Sequence, residues 1–175
     1  IDDNLSPFVD MTVNNGQLSV RLNQLVSSGS RRIEVEGPPL IGLKLFGRSR
    51  GSVSRWVSRL PVNIQVDASS VLDIGALEAD SAQIQVTGQS TLNITGGAVS
   101  SVVLKANNRS IFKAEAMRTQ RTTATLTDRS TGRVNVLTLL DATLSSNSQL
   151  GYSGNPQIRQ NLLDRDSRIT PLDVG

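Results

Sequence analysis

The side chains that could carry chemistry in this sequence are carboxylates, lysines and arginines, because the 175 residues include no cysteine and no histidine. This composition excludes disulfide frameworks, zinc sites of the Cys/His type, and Ser-His-Asp or Cys-His catalysis. Carboxylate pairs could still serve a polysaccharide-active enzyme, since a retaining glycosidase needs two carboxyls about 5 Å apart. The acids considered for this role are Glu78, Asp80 and Asp73.

These acids favour a solvated surface over a catalytic centre. Aligning the sequence on a 20-residue period places no two acids in one column on adjacent repeats. Glu78 and Asp80 are two residues apart, which puts them on one face of a strand. The Asp164-Arg165-Asp166 stretch lacks the further ligands and the glycine of a calcium loop, so a surface turn is predicted there. We therefore predict no enzymatic activity, no catalytic residue, no metal and no cofactor.

The basic residues form a more regular pattern. Arg109 aligns with Arg129 and Lys113 aligns with Arg133, each pair being 20 residues apart. Like charges stacked on neighbouring strands repel one another, so two such columns hint at an anionic partner, although splayed and screened side chains would also be tolerated. We predict one anion-binding patch from these four residues, with Arg118 or Arg121 at its rim.

The elements that would position these residues are β-strands. Apolar residues alternate with polar ones, and Val, Ile and Thr are frequent in the alternating runs. Asn15-Gly16 lies between two such runs and predicts a tight hairpin over residues 9–22. A serine column then recurs with spacings of 20, 20, 20 and 18 residues, at Ser70, Ser90, Ser110, Ser130 and Ser148.

A period near 20 with alternating strands predicts an all-β fold, a right-handed parallel β-solenoid of about five coils. The serines would occupy corner turns rather than a ligand-binding stripe. Leu72, Leu92, Phe112 and Leu150 would form an inward ladder, with Val134 filling the gap left by Gly132. We expect a single domain over residues 1–175, with irregular N-terminal strands to residue 60, repeat coils over 61–156 and a C-terminal capping segment over 157–175.

Three stretches of the sequence resemble the head GIN domain of putative auto-transporter adhesins, a bacterial family of exported β-helical domains. They are residues 2–9 running into 13–18, the coils over residues 61–150, and residues 150–158 followed by Ser167-Arg168-Ile169. The resemblance covers nearly the whole chain and implies a β-helical fold and an exported location, with no catalytic residues to carry over. Family members usually open with further strands, so we expect Ile1 to be a fragment boundary.

Three functional classes follow, and we rank a non-catalytic module of the bacterial envelope first, at the cell surface or in the periplasm. An assembly module that docks through open solenoid ends comes second, and a polysaccharide-active enzyme third. We expect envelope polysaccharide or another protein as the partner, and homo-oligomers would suit the second class. Five aromatic residues and a net charge of +3 disfavour nucleic-acid binding. The sequence has no apolar run of about 18 residues, so no transmembrane segment is expected.

Overall fold

The computed structural model describes residues 9–14, 17–22 and 40–172. The chain divides into two compact units, residues 1–38 and residues 39–175. In the described residues, no helix is long and apolar enough to cross a membrane.

The N-terminal unit contains the predicted β-hairpin. Strands β1 (Val9–Asn14) and β2 (Gln17–Leu22) pair antiparallel, with Asn14 opposite Gln17. This register leaves a two-residue connection, which is the length that an Asn-Gly turn requires. The hairpin is therefore confirmed, while the turn residues Asn15 and Gly16 lie outside the described residues.

The second unit is a parallel β-solenoid, which confirms the fold predicted from the 20-residue period. Each strand pairs in parallel with the equivalent strand one turn later, and the stack has about six turns. Its strands are β3 (Gly42–Leu45), β4 (Arg50–Ser58), β5 (Val62–Val66), β6 (Val71–Val86), β7 (Thr91–Ile94), β8 (Gly97–Ala106), β9 (Ile111–Leu126), β10 (Thr131–Leu144), β11 (Gln149–Ser153), β12 (Gln157–Leu162) and β13 (Arg168–Pro171).

The parallel stack extends beyond the predicted coil boundaries at both ends. Strands β3 and β4 pair in register with β5 and β6, so regular stacking begins at Gly42 and not at residue 61. Strands β12 and β13 pair with β10 and β11 in the same parallel sense. Residues 157–171 therefore add a further turn to the stack, in the segment that was expected to serve only as a cap.

Each turn of the solenoid has three faces, and strand β9 shows them most clearly. Its side chains alternate between outward and inward, except at Glu115–Ala116 and Gln120–Arg121, where two consecutive residues point outward. A strand that exposes two neighbours in succession must bend there, because alternation otherwise holds along a straight strand. We define the first face by residues 111–115, the second by 116–120 and the third by 121–126, together with their equivalents in the other turns.

The core is a set of inward columns running along the stack. Leu72, Leu92 and Phe112 occupy successive turns in register and are completely buried, as is Leu150. The expectation that Val134 fills the gap at Gly132 is wrong. A Cβ on Gly132 would lie 2.8 Å from Cδ1 of Leu150 and 3.1 Å from Cδ2 of Leu126, so these two leucines occupy the space.

Tight corner turns connect the third face of one turn to the first face of the next. Two consecutive residues in each turn have positive φ, for example Asn108 (55°) with Arg109 (58°) and Asp128 (56°) with Arg129 (63°). The following serine closes the turn, because the Ser110 hydroxyl donates to the Asn107 carbonyl at 2.7 Å and the Ser130 hydroxyl donates to that of Thr127 at the same distance. The corner interpretation of the serine column is confirmed.

Candidate anion-binding face

The corner turns place Arg109 and Arg129 one above the other. The Arg109 amide donates to the Asp128 carbonyl at 2.8 Å, and the Arg129 amide donates to the Ser146 carbonyl at 2.8 Å. These backbone bonds fix the register between neighbouring corners. Both arginines are exposed, so their side chains leave adjacent turns from equivalent positions.

Lys113 and Arg133 lie on the first face, four residues beyond the two corner arginines. They are direct register partners in the β9–β10 ladder, and both point outward. Neighbouring strands are about 4.8 Å apart, which also sets the spacing between these two positions along the solenoid axis. The structure therefore places the four predicted residues as two in-register pairs, four residues apart along the chain, which we call the basic patch.

The basic patch is only partly neutralised by acids. The Arg133 guanidinium lies 3.7 Å from the Glu115 carboxylate, at the limit of an ion pair. Asp128 accepts a hydrogen bond from the Thr127 hydroxyl at 3.0 Å. Across the described residues, Arg109, Lys113 and Arg129 have no ion pair within 4.0 Å.

Of the two residues expected at the rim of the basic patch, Arg118 is the nearer one. Arg118 lies on the second face, in register with Ala98, and Arg121 begins the third face, in register with Ser101. In the following turn Arg118 is the register partner of Asn135, two residues beyond Arg133, whereas Arg121 is the partner of Leu139. The sequence spacing alone gave no indication of the bends in strand β9, because the apolar alternation resumes on either side of them.

The corner column contains one basic residue that the sequence alignment missed. Backbone bonds extend the column from Arg109 through Gln89 and Ser69 to Arg48, whose amide donates to the Ala68 carbonyl at 2.8 Å. Ser49 and Ser70 are 21 residues apart, so a fixed 20-residue period does not align Arg48 with the rest. Because Ser69 and Gln89 are neutral, Arg48 stands apart from the basic patch.

The candidate catalytic acids Glu78 and Asp80 lie on one face of strand β6, and Asp73 lies on the first face. Glu78 accepts from the Arg55 guanidinium at 2.9 Å, and Asp73 accepts from the Asn93 amide at 2.6 Å. Asp80 is exposed at the end of the second face. Within the part of the chain that the structure describes, no three acidic residues come together as a metal-binding cluster.

Asp164 forms the last corner turn of the stack. Its Oδ1 accepts from the amides of Asp166 at 2.9 Å and Ser167 at 2.7 Å, and its Oδ2 accepts from the Ser167 hydroxyl at 3.0 Å. Desolvation acts to raise the pKa of Asp164, but the hydrogen bonds from Ser167, Asp166 and Ser146 outweigh it and hold the pKa below its ordinary value. The surface-turn interpretation of this segment is thus confirmed.

The second unit is a parallel β-solenoid. Its surface carries charged side chains, and its core is filled by its own apolar side chains. Residues 1–156 match the family described as "Putative auto-transporter adhesin, head GIN domain". The chain belongs to this family, which makes it an adhesin-like domain. No curated protein matches it.

Solved structures share the fold at low sequence identity. A putative adhesin from Bacteroides fragilis has a TM-score of 0.79 and 17% identity, covering 97% of this chain and 78% of that one. A putative adhesin from Parabacteroides merdae has a TM-score of 0.69 and 13% identity, covering 98% and 81%. A protein described as a putative lipid binding protein from Parabacteroides distasonis has a TM-score of 0.63 and 14% identity, covering 98% and 82%.

Proposed function

We propose that this domain is a non-catalytic adhesive module, exported to the bacterial surface or periplasm, that binds anionic envelope polysaccharides through the basic patch. The observation that carries this proposal is the in-register repetition of cations at two positions, Arg109 with Arg129 and Lys113 with Arg133. Family membership supports the adhesive role. The ligand class, an anionic polysaccharide, is inferred only from the arrangement of these four cations.

The repetition favours an extended polymer over a small anion. Parallel stacking keeps each cation about 4.8 Å from its equivalent in the next turn, so the patch presents two short lines of positive charge along the solenoid axis. A polymer with regularly spaced sulfate or carboxylate groups can meet these cations one after another. Exposed charges are screened beyond about 8 Å at physiological salt, so binding should weaken steeply as salt increases.

The test removes the two corner charges without changing the turn. Gln89 already occupies the equivalent position with a φ of 63°, so we expect Arg109→Gln/Arg129→Gln to fold normally. Because this variant loses the contacts of two exposed cations, its binding to dextran sulfate and alginate should weaken about 5- to 30-fold at low salt. Biolayer interferometry across a salt series would measure both the affinity and its salt dependence.

A matched control separates the basic patch from overall charge. Lys105→Gln/Arg121→Gln removes the same two charges from the third face, where both residues are exposed. We expect this variant to bind almost as the original protein does. Equal weakening of both double variants, or no binding by the original protein at low salt, would contradict the proposal.

One observation favours a second function, assembly through the C-terminal end of the stack. In the described part of the second unit, β12 pairs only with β10 and β13 pairs only with β11. Leu162 continues the inward column below Leu144 and is 39% exposed. Concentration-dependent sedimentation that disappears in Leu162→Lys would support assembly, whereas a monomer at all concentrations would contradict it.

A further inference from the structure

A surface trough runs across the second face of the solenoid. It comprises a depression of about 610 Å³ and an adjoining one of about 210 Å³, which share Ala98, Ser100 and Arg118. Together they extend from Val57 in the first turn to Leu137 four turns later, a length of about 19 Å at the usual strand spacing. The larger depression is shallow and open to solvent, so it could hold a ligand only along one side.

The trough exists because small residues meet at the bend between the second face and its neighbours. Gly97 has a φ of 99°, and a Cβ there would collide with the Leu77 carbonyl oxygen, so only glycine allows this close stacking. Ala98 and Ala116 add short side chains to the floor. Ala98 lies between Glu78 and Arg118 in one register column, which separates these two residues by two turns, about 10 Å.

The walls of the trough carry polar groups that the described residues leave available. Arg55 holds the Glu78 carboxylate at 2.9 Å, so Glu78 does not reach across to Arg118. Within the described ranges, Arg118, Arg59 and Asp80 have no ion pair within 4.0 Å, and the Ser100 hydroxyl has no hydrogen-bond partner. The trough therefore offers donors from guanidinium groups, an acceptor from a carboxylate and a hydroxyl that can serve as either.

We infer that this trough is a second binding site, and that it takes a linear oligosaccharide of a few sugar residues. Sugar hydroxyls donate and accept hydrogen bonds, which matches the mixture of Asp80, Ser100 and Arg118 along the walls. The methyl groups of Ala98 and Ala116 are small apolar contacts for the carbon–hydrogen face of a sugar ring. Arg118 adds a preference for a carboxylated sugar over a neutral one.

An extended peptide fits this surface less well. Peptides that add to a sheet need an unpaired strand edge, and the strands in the middle of the trough, β6, β8 and β9, are paired on both sides; among the described residues only the β4 and β10 ends of the trough have a free side. Strand β8, for example, pairs with β6 through Leu77–Ala79 and with β9 through Arg118–Thr119. The alanine floor also lacks separate pockets for alternate side chains.

A neutral probe separates binding in the trough from binding to the basic patch, which is needed because Arg118 pairs in register with Asn135, two residues from Arg133. A neutral oligosaccharide gains nothing from a line of cations, so its binding reports on the trough alone. We would titrate ¹⁵N-labelled protein with cellotetraose as the neutral probe and tetragalacturonate as the carboxylated probe. Saturable chemical-shift changes should occur at the amides of Gly97, Ala98 and Ser100 with both probes, with about fivefold tighter binding of the carboxylated one.

Variants locate the binding and test its charge preference. Ala98→Leu fills the trough at an exposed position and should abolish binding of cellotetraose, whereas Ser101→Leu, exposed on the third face of the same turn, should retain it. Arg118→Gln should bind both tetrasaccharides equally. Unchanged binding by Ala98→Leu, shifts confined to Arg109 and Arg129, or tighter binding of an unstructured decapeptide than of either sugar would overturn the inference.

Discussion

The serines of the corner column are structural groups buried inside the stack. The Ser70 amide donates to the Ser90 hydroxyl at 3.2 Å, and the Ser148 amide donates to the Ser167 hydroxyl at 3.1 Å. In these turns the serine hydroxyl accepts a hydrogen bond from a backbone amide of the preceding turn. In several turns the hydroxyl also donates to a carbonyl of its own corner. This explains why a small hydroxyl residue recurs there, since a buried amide without a partner is costly.

Because these hydroxyls are buried, removing one should lower the free energy of unfolding more than removing a hydroxyl from an exposed turn would. Ser90→Ala leaves the buried Ser70 amide without its partner, so we expect a loss of about 1–3 kcal/mol in the free energy of unfolding. Phe112→Ala opens a cavity in the middle of the inward ladder and should cost about 3–5 kcal/mol. Urea unfolding of both variants would decide the order, and a larger loss for Ser90→Ala than for Phe112→Ala would contradict it.

The last corner turn of the stack is stabilised by different hydrogen bonds from the other corner turns. Asp164 replaces the corner backbone arrangement with a carboxylate that accepts three hydrogen bonds from Asp166 and Ser167. Strand β13 follows directly and pairs only with β11 in the described residues. The order of β13 should therefore depend on the charge of this one side chain.

This dependence predicts that acid loosens β13 before the rest of the stack. The pKa of Asp164 is lower in the folded protein than its ordinary value of 3.8, so its contribution is complete above that value and is lost as pH falls through the folded pKa. Hydrogen exchange at the amides of Arg168 and Leu172, corrected for intrinsic rates, should rise as pH falls below about 3.8. In Asp164→Asn this pH dependence should disappear, and its persistence would assign the acid effect to another group.

Strand stacking was predictable wherever the repeat length is constant. The alignment placed Lys113 and Arg133 in one column, and the ladder registers agree and extend the column to Asn93 and Asp73. The first and last turns were missed because Ser49 precedes Ser70 by 21 residues and Ser167 follows Ser148 by 19. The trough was missed for another reason, since it depends on bends inside strands, which the alternation of apolar residues does not reveal.

At the scale of the whole molecule, charge is distributed unevenly along the chain. Residues 39–175 contain 15 of the 18 basic residues and 10 of the 15 acidic ones, for a net charge of +5. Residues 1–38 carry the remainder, a net charge of −2. A general excess of positive charge attracts polyanions weakly from any direction, so binding by the basic patch must be separated from it.

Adding an arginine at each end of the Arg109–Arg129 column tests the role of the basic patch most directly. Gln89→Arg/Asn147→Arg adds a cation on either side of Arg109 and Arg129, at exposed corner positions with φ angles of 63° and 62° that arginine already tolerates at residue 129. The control, Gln83→Arg/Gln85→Arg, adds the same charge to exposed positions on the third face.

Binding of these two variants to dextran sulfate across a salt series is the decisive measurement. A continuous column of four arginines should bind about 5- to 30-fold more tightly than the original protein at low salt, with a steeper loss of affinity as salt rises. The third-face control should gain much less. Equal gains in both variants, or no gain in the lengthened column, would contradict the account, because binding would then follow net charge and not the register of the stack.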